Sequence, residues 1–368
     1  MSRKKKVLMI ITVPFDGYGI GMVVKNYTAQ LNKEVDFDFV LCSGGSDENY
    51  QYIKDIGSQV VEIPANRLRN PIRYMKSLTN IIIENAYDVV HVHGNSGTMF
   101  FDIHAAKKAG IPIRIAHCHN SFCKFRILHY LLKPFLNQEI TLGIACSKIA
   151  GKWVFSKDFI VMNNAINAEK YSFSELYREQ IRTELNVKDR YVILNVGRLV
   201  EQKNQEFLLD IMPEIVAKKE NTVLILVGDG VLEQKLRERS KELNISNNVF
   251  FLGKRNDVER IYSAADCFAF PSLYEGLGLG LVEAQASGLR CVASTNVPQE
   301  ANVTEKVSYI SLENVDEWVE LLIKENCKSV NERQQISFDS CKSIKQKNYD
   351  IKEEAKKLKK LYTGIVSD

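Results

Sequence analysis

The chain has 368 residues, 45% hydrophobic and 26% charged, with a formal net charge of +4. That length is too great for most single domains and suits two, each able to bury its own core. The small basic excess lacks the pronounced cationic character of a dedicated nucleic-acid binder, and no apolar run reaches the length needed to cross a bilayer.

The basic start MSRKKK and the short apolar run after it meet Pro14 and Asp16 without a small-residue cleavage site, and read as a first strand at 6–12. Short Val/Ile/Leu-rich runs follow at 36–42, 59–63, 88–92, 113–117, 142–145 and 159–162, with helical patterns between them. This alternation is the mark of βαβ units and a parallel sheet. From Asn163 the polar segment NNAINAEKYSFSE reads as a linker, with a helix near 177–185. A second series of strands is expected at 191–196, 222–227, 249–252, 266–270 and 290–294, again separated by helices. The segment 343–365 puts Ile351, Ala355, Leu358, Leu361 and Ile365 on one face of a helix that needs an apolar partner. The expected division is therefore 1–165, 166–342, and a terminal helix at 343–368 returning to the first domain. The eight cysteines are scattered without a CxxC pair, and several sit in apolar runs, as expected of small core residues in a reducing cytoplasm.

Three turns in the second half carry chemistry. In DCFAFPSLYEGLGLGLVEAQAS an apolar run ends at Pro271 and passes through Gly276, Gly278 and Gly280 into a helical Ala/Leu/Glu/Gln segment. In a parallel sheet such a turn lies at the carboxyl end of a strand, where a helix start offers unpaired N–H groups to a phosphate. Glu275 and Glu283 bracket this turn, and paired acceptors suit the hydroxyls of a diol. A turn glutamate and a solvated helix glutamate would leave the same pattern without any ligand. In NVGRLVEQKN, Gly197 closes a strand, and Arg198 and Lys203 follow five residues apart. Two cations there suit a diphosphate, Arg as a bidentate partner and Lys as a point charge, against the alternative of ordinary surface charge. VGDG at 227–230 is a third strand-to-helix turn on the same edge.

The set GRLVEQKN, LVGDG, FLGKRNDV and PSLYEGLGLGLVEA, in this order and spacing, resembles the retaining glycosyltransferases of family 4 that build bacterial capsules and exopolysaccharides. The resemblance covers nearly the whole chain. It implies the α/β GT-B architecture, two Rossmann-like doubly wound parallel-sheet domains facing a cleft, with the acceptor on the first domain and a nucleotide-sugar donor on the second. Carried over by position, it assigns Arg198 and Lys203 to the donor diphosphate, Glu283 to the ribose hydroxyls and Glu275 to the transferred sugar. Gly197, Gly276, Leu277, Gly278 and Leu279 would approach phosphate or sugar, and Arg255 would border the base. A UDP-sugar is the expected donor, and the acceptor is a hydroxyl of a growing, lipid-linked or free, glycan.

In the first domain the loop FDGYGIGM carries Gly17, Gly19 and Gly21. Related enzymes place this loop against donor phosphate or acceptor, usually with adjacent glycines; here Tyr18 separates Gly17 from Gly19. Four of the six histidines form HxH pairs, His91 with His93 and His117 with His119, each on one face of a strand end. Zinc could use such pairs, but neither has a third ligand in its motif, and no metal or other cofactor is expected. Within RIAHCHNSF the resemblance assigns His119 to the donor sugar. Asp36 and Asp38, in DFD, read as a solvated strand face. The segment KFRILHYLLK at 124–133 mixes basic and bulky apolar residues, as a membrane-surface helix or as a core helix with a charged rim. The expected place is the cytoplasm, or the inner face of its membrane. Arg290 and Ala165 stand where relatives often have proline and glycine, so strand entry and linker geometry depart from the pattern. Rival readings are a sugar-nucleotide epimerase or hydrolase, and a non-catalytic scaffold of the same fold; a dinucleotide oxidoreductase lacks its GxGxxG after the first strand.

Overall fold

The computed structural model describes residues 3–15, 19–324 and 329–364. It divides into two compact units, Met1–Ala165 with Ile351–Asp368, and Ile166–Asp350.

In the first unit β1 (Lys5–Ile11), α1 (Ile20–Leu31), β2 (Val35–Leu41), α2 (Asp47–Asp55), β3 (Gln59–Val60), α3 (Pro71–Asn85) and β4 (Val89–Gly94) are followed by α4 (Phe100–Lys108), β5 (Ile113–Cys118), α5 (Arg126–Glu139), β6 (Leu142–Ala145), α6 (Lys148–Val154) and β7 (Ile160–Val161). The seven strands pair in parallel in the order β3-β2-β1-β4-β5-β6-β7. Val7 to Ile11 are all buried, as a strand covered on both faces must be. Asp38 is not solvated: it is buried, accepting from Tyr87 Oη at 2.8 Å and pairing with Lys6 Nζ at 3.3 Å. Arg67 is also buried, its guanidinium held by Asp102, to which Tyr74 also donates at 2.8 Å.

The second unit contains α7 (Glu175–Glu184), β8 (Tyr191–Val196), α8 (Gln205–Lys218), β9 (Thr222–Val227), α9 (Glu233–Glu242), β10 (Val249–Phe251), α10 (Val258–Ala264) and β11 (Cys267–Phe270), then α11 (Leu279–Ala286), β12 (Arg290–Ser294), β13 (Val307–Ile310), α12 (Val315–Ile323) and α13 (Val330–Gln346). Its parallel sheet runs β10-β9-β8-β11-β12-β13. One core, around Leu194, Ile225, Phe268 and Leu281, fills one side of the sheet; another, around Ile193, Leu224, Met212 and Trp318, fills the other.

The single terminal helix expected from 343 is in fact two. Asn348 adopts φ 62°, a left-handed conformation that asparagine tolerates, and separates α13 from α14 (Ile351–Tyr362). α14 lies against α1 in the first unit, burying Ile351, Ala355, Leu358 and Leu361; Ile365 lies outside the described residues. Among the described cysteines, Cys118, Cys146, Cys267, Cys291 and Cys341 are buried and unoxidised.

In both sheets the strand order reverses once, between β1 and β4 and between β8 and β11. Ligands of open α/β sheets bind at the carboxyl ends of the strands at such a reversal. The turns that follow β8 and β11 lie at such an end, and the VGDG turn follows the neighbouring strand β9.

Candidate functional site

In the second unit, β8 and β11 are neighbours, so the turns that follow them, 197–204 and 271–278, emerge side by side. They are stitched together by groups the motif reading did not single out. Leu273 N donates to Gln202 O at 2.8 Å, Gln202 Nε2 to Tyr274 O at 2.9 Å, and Asn204 Nδ2 to Pro271 O at 3.3 Å. Beneath them the buried Asn195 donates to Ala269 O at 2.9 Å, and Gln205 Nε2 bonds both Asn195 Oδ1 and Arg198 O. Asparagine and glutamine at strand ends are too common as turn residues to be read as a brace from sequence.

Lys203 and Glu275 meet directly, Nζ to Oε1 at 2.6 Å, with the carboxylate side chain 7% exposed. The ammonium also stands 4.9 Å from the Phe270 ring centroid. The Lys203 stem runs over Gly197, its Cε 3.3 Å from where a Cβ would stand. The third turn closes on the first: Gly228 has φ 133°, and a Cβ there would fall 2.1 Å from Gly197 O. Only glycine lets the two turns approach this closely. Arg198 is exposed beside this cradle.

Gly278, at φ 89°, opens α11, and a Cβ on it would meet Phe270 Cε1 at 2.9 Å. Gly276 is exposed, Leu277 is buried and Leu279 is half-buried. Glu283 is not the solvated helix residue of the bland reading. It is buried, with Tyr262 Oη 3.0 Å from its Oε2 and a second hydrogen bond from Tyr171. Burial raises its pKa; the two phenols and Lys170 pull against that shift. These tyrosines come from the linker and from α10, distant in sequence, and no motif announces them. Arg255, in the loop between β10 and α10, is engaged bidentately by Asp257 at 2.8 and 2.9 Å and by Glu184 at 2.9 Å, so its charge is already matched within the protein.

In the first unit Gly19 precedes α1 with φ 52°, while Gly17 lies outside the described residues. His119, just past β5, is buried; its backbone N–H meets Asn95 Oδ1 at 3.2 Å, and its Nε2 lies 2.9 Å from His93 Nδ1. His91, His93 and His117 each bring a ring nitrogen within 4.8 Å of the others, a set able to hold a metal ion that neither HxH pair could form alone. Burial lowers the pKa of all four histidines, that of His119 to about 4, so the rings are neutral near pH 7. α5 buries His129, Leu136 and Asn137 and exposes Ile127, Tyr130, Leu131 and Phe135, so its outer face is apolar rather than a charged rim. No described helix is long and apolar enough to cross a membrane.

Residues 177–335 match the family model "Glycosyl transferases group 1" and residues 18–154 match "Glycosyltransferase Family 4". The chain is 28% identical over 339 residues to glycosyltransferase EpsF of Bacillus subtilis, covering 88% of each chain. It is 24% identical over 345 residues to the capsular polysaccharide biosynthesis glycosyltransferase CapH of Staphylococcus aureus, covering 90% of this chain and 91% of that one. Its fold matches Anabaena HepE, crystallised with UDP, at a TM-score of 0.76 and 17% identity over 98% of this chain and 100% of the other. The chain belongs to the GT-B glycosyltransferases of family 4, group 1, of the exopolysaccharide and capsule type.

Proposed function

We propose that this glycosyltransferase moves a sugar from a UDP-sugar to a hydroxyl of a growing, lipid-linked glycan, with retention at the anomeric carbon. The observation that carries the reading is the cradle at the β8/β11 reversal, where Gly197, Arg198, Lys203, Glu275 and the start of α11 converge. In it Arg198 and Lys203 hold the diphosphate and stabilise the charge that grows as the bond from C1 to the diphosphate oxygen breaks. The acceptor hydroxyl forms its bond to C1 on the face the diphosphate leaves, and its proton passes to the departing phosphate oxygen. No side chain serves as a covalent nucleophile. Two fixed cations do the charge work a divalent ion would do, so the reading assigns no metal to the step.

Glu283 accepts the ribose hydroxyls, released in part from Tyr262 and Tyr171, and Glu275 and His119 serve the transferred sugar. Backbone from Gly276 to Leu279, and Gly19 or Gly17, approach phosphate or sugar, and Arg255 borders the base after giving up part of its pairing. HepE, a structural neighbour, was crystallised with UDP and with UDP-glucose, which supports the uridine nucleotide. The apolar outer face of α5, with Lys124 and Arg126 at its start, supports contact with a membrane surface on which the acceptor is presented.

The test is a thermal-shift panel of UDP, GDP, ADP and their sugars on wild type and Glu283→Ala. Stabilisation by UDP alone, lost in the variant, supports the assignment. Stabilisation by another nucleotide replaces the donor, and interconversion of donor sugar without acceptor turns the reading toward an epimerase.

A further inference from the structure

In the second unit α10 carries Tyr262 and α11 carries Glu283, both within Ile166–Asp350. The Tyr262 ring is fully buried, with the Tyr171 ring edge-on at 5.8 Å between centroids and the Phe268 ring at 5.7 Å. A phenylalanine would fill that space as well, so packing does not account for the hydroxyl. A buried hydroxyl costs free energy unless it is hydrogen-bonded. Its partners both belong to α11: Glu283 Oε2 at 3.0 Å and Gly280 O at 3.2 Å. A backbone oxygen and an ionised carboxylate only accept, so the phenol is the donor to either one.

The reach between the two helices is set from behind by Arg333 of α13, itself buried. Its Nη2 donates to Tyr262 O at 2.8 Å and its Nη1 to Ala265 O, both at the end of α10, while its Nε donates to Ser287 O at 3.2 Å, at the end of α11. From α7, Arg182 Nη1 donates to Ala264 O at 2.9 Å and Arg178 Nη1 to Ala265 O at 3.0 Å. Carbonyls at a helix end lack partners within the helix, and cations suit the negative end of its dipole. Gly288, at φ 65°, lets α13 come close: a Cβ there would stand 2.9 Å from Ser337 N. One planar fork therefore ties the helix that bears the phenol to the helix that bears the carboxylate.

We propose that Tyr262 is a positioning residue for Glu283: its hydroxyl holds Oε2 so that the carboxylate is oriented for the ribose hydroxyls before the nucleotide binds. Orientation in advance removes an ordering cost from binding. As the ribose hydroxyls settle on the carboxylate, the phenolic proton turns to Gly280 O, and no buried donor is left without an acceptor. The proposal rests on the reading that Glu283 meets the ribose.

Calorimetric titration of UDP and of 2′-deoxy-UDP into the full-length protein separates this role from a structural one, because a general weakening of the site lowers both affinities together. The wild type should bind UDP about tenfold tighter or more, as for a hydrogen bond to a charged group. Glu283→Ala should abolish that preference. Tyr262→Phe, which removes one oxygen and keeps the ring, should cut it to about threefold or less by weakening UDP and not the deoxynucleotide. A wild type that binds neither nucleotide or shows no preference, or a Glu283→Ala protein that keeps it, overturns the ribose reading and the proposal with it. If Glu283→Ala loses the preference while Tyr262→Phe keeps it, or weakens both nucleotides equally, the ribose reading stands and the positioning role is overturned.

Discussion

Lys203 and Glu275 form a pair whose two members have different consequences when removed. Lys203→Ala takes away a fixed cation and leaves a nearly buried carboxylate without its partner. Turnover should fall by about 10² to 10³-fold, and stability by about 1–3 kcal/mol, which kinetics and urea denaturation on the same preparation would report. Near-normal turnover would remove the lysine from the diphosphate clamp. Glu283 presents the opposite balance. Its folded pKa is raised chiefly by burial, so the native state holds the proton more tightly than the unfolded chain. Stability therefore declines as pH climbs from the ordinary carboxylate range through the raised value, and the ionised form that the proposed hydroxyl binding calls for is kept at a cost to the fold. Glu283→Gln should gain about 1 kcal/mol at neutral pH while losing nucleotide-induced stabilisation. A variant no more stable than wild type would contradict the strain assigned to this carboxylate.

At the scale of elements, the strands covered on both faces were legible because Val7 to Ile11, or Thr222 to Val227, can belong only to the middle of a parallel sheet. β13 escaped notice: VSYI is four residues at a sheet edge, with Ser308 and Tyr309 half-buried, too short and mixed to give a period. The break at Asn348 was equally hidden, since the apolar spacing on either side fits one helix. The glycine turns and their charges were readable because close backbone approach restricts residue choice. The tyrosines around Glu283 and the Asn195–Gln205 brace were not, because such contacts form only after distant segments have packed. α5 offers a direct test of its exposed face. Ile127→Asp with Leu131→Asp changes residues 81% and 63% exposed, so the fold should be unaffected. Cosedimentation with anionic phospholipid vesicles should fall about tenfold or more if these side chains enter the interface. Equal binding by wild type and variant would dismiss the membrane role.

For the molecule as a whole, the histidine stack ties stability to acidity. His91, His93, His117 and His119 all have folded pKa values depressed by burial, against about 6.5 in an unfolded chain. Their contribution is complete above that value and is lost as pH falls, because the unfolded chain takes up protons the folded one refuses. The loss should be about 1.4 kcal/mol per pH unit for each histidine, so melting followed from pH 7 to pH 5 should show an uptake of several protons. A flat profile would mean the rings are not held neutral. The chain path has a different consequence. Ile166 and Asp350 bridge each other, with Ile166 N donating to Tyr349 O at 2.9 Å, so the second unit begins and ends at one place. α14, which covers α1 and carries Tyr362 to His91, is synthesised only after that unit is finished. On the ribosome the order of completion is thus inverted: the later-encoded unit can close first, while the earlier one waits with an apolar face uncovered. Expressed alone, 166–350 should fold, and 1–165 should aggregate unless 351–368 is supplied.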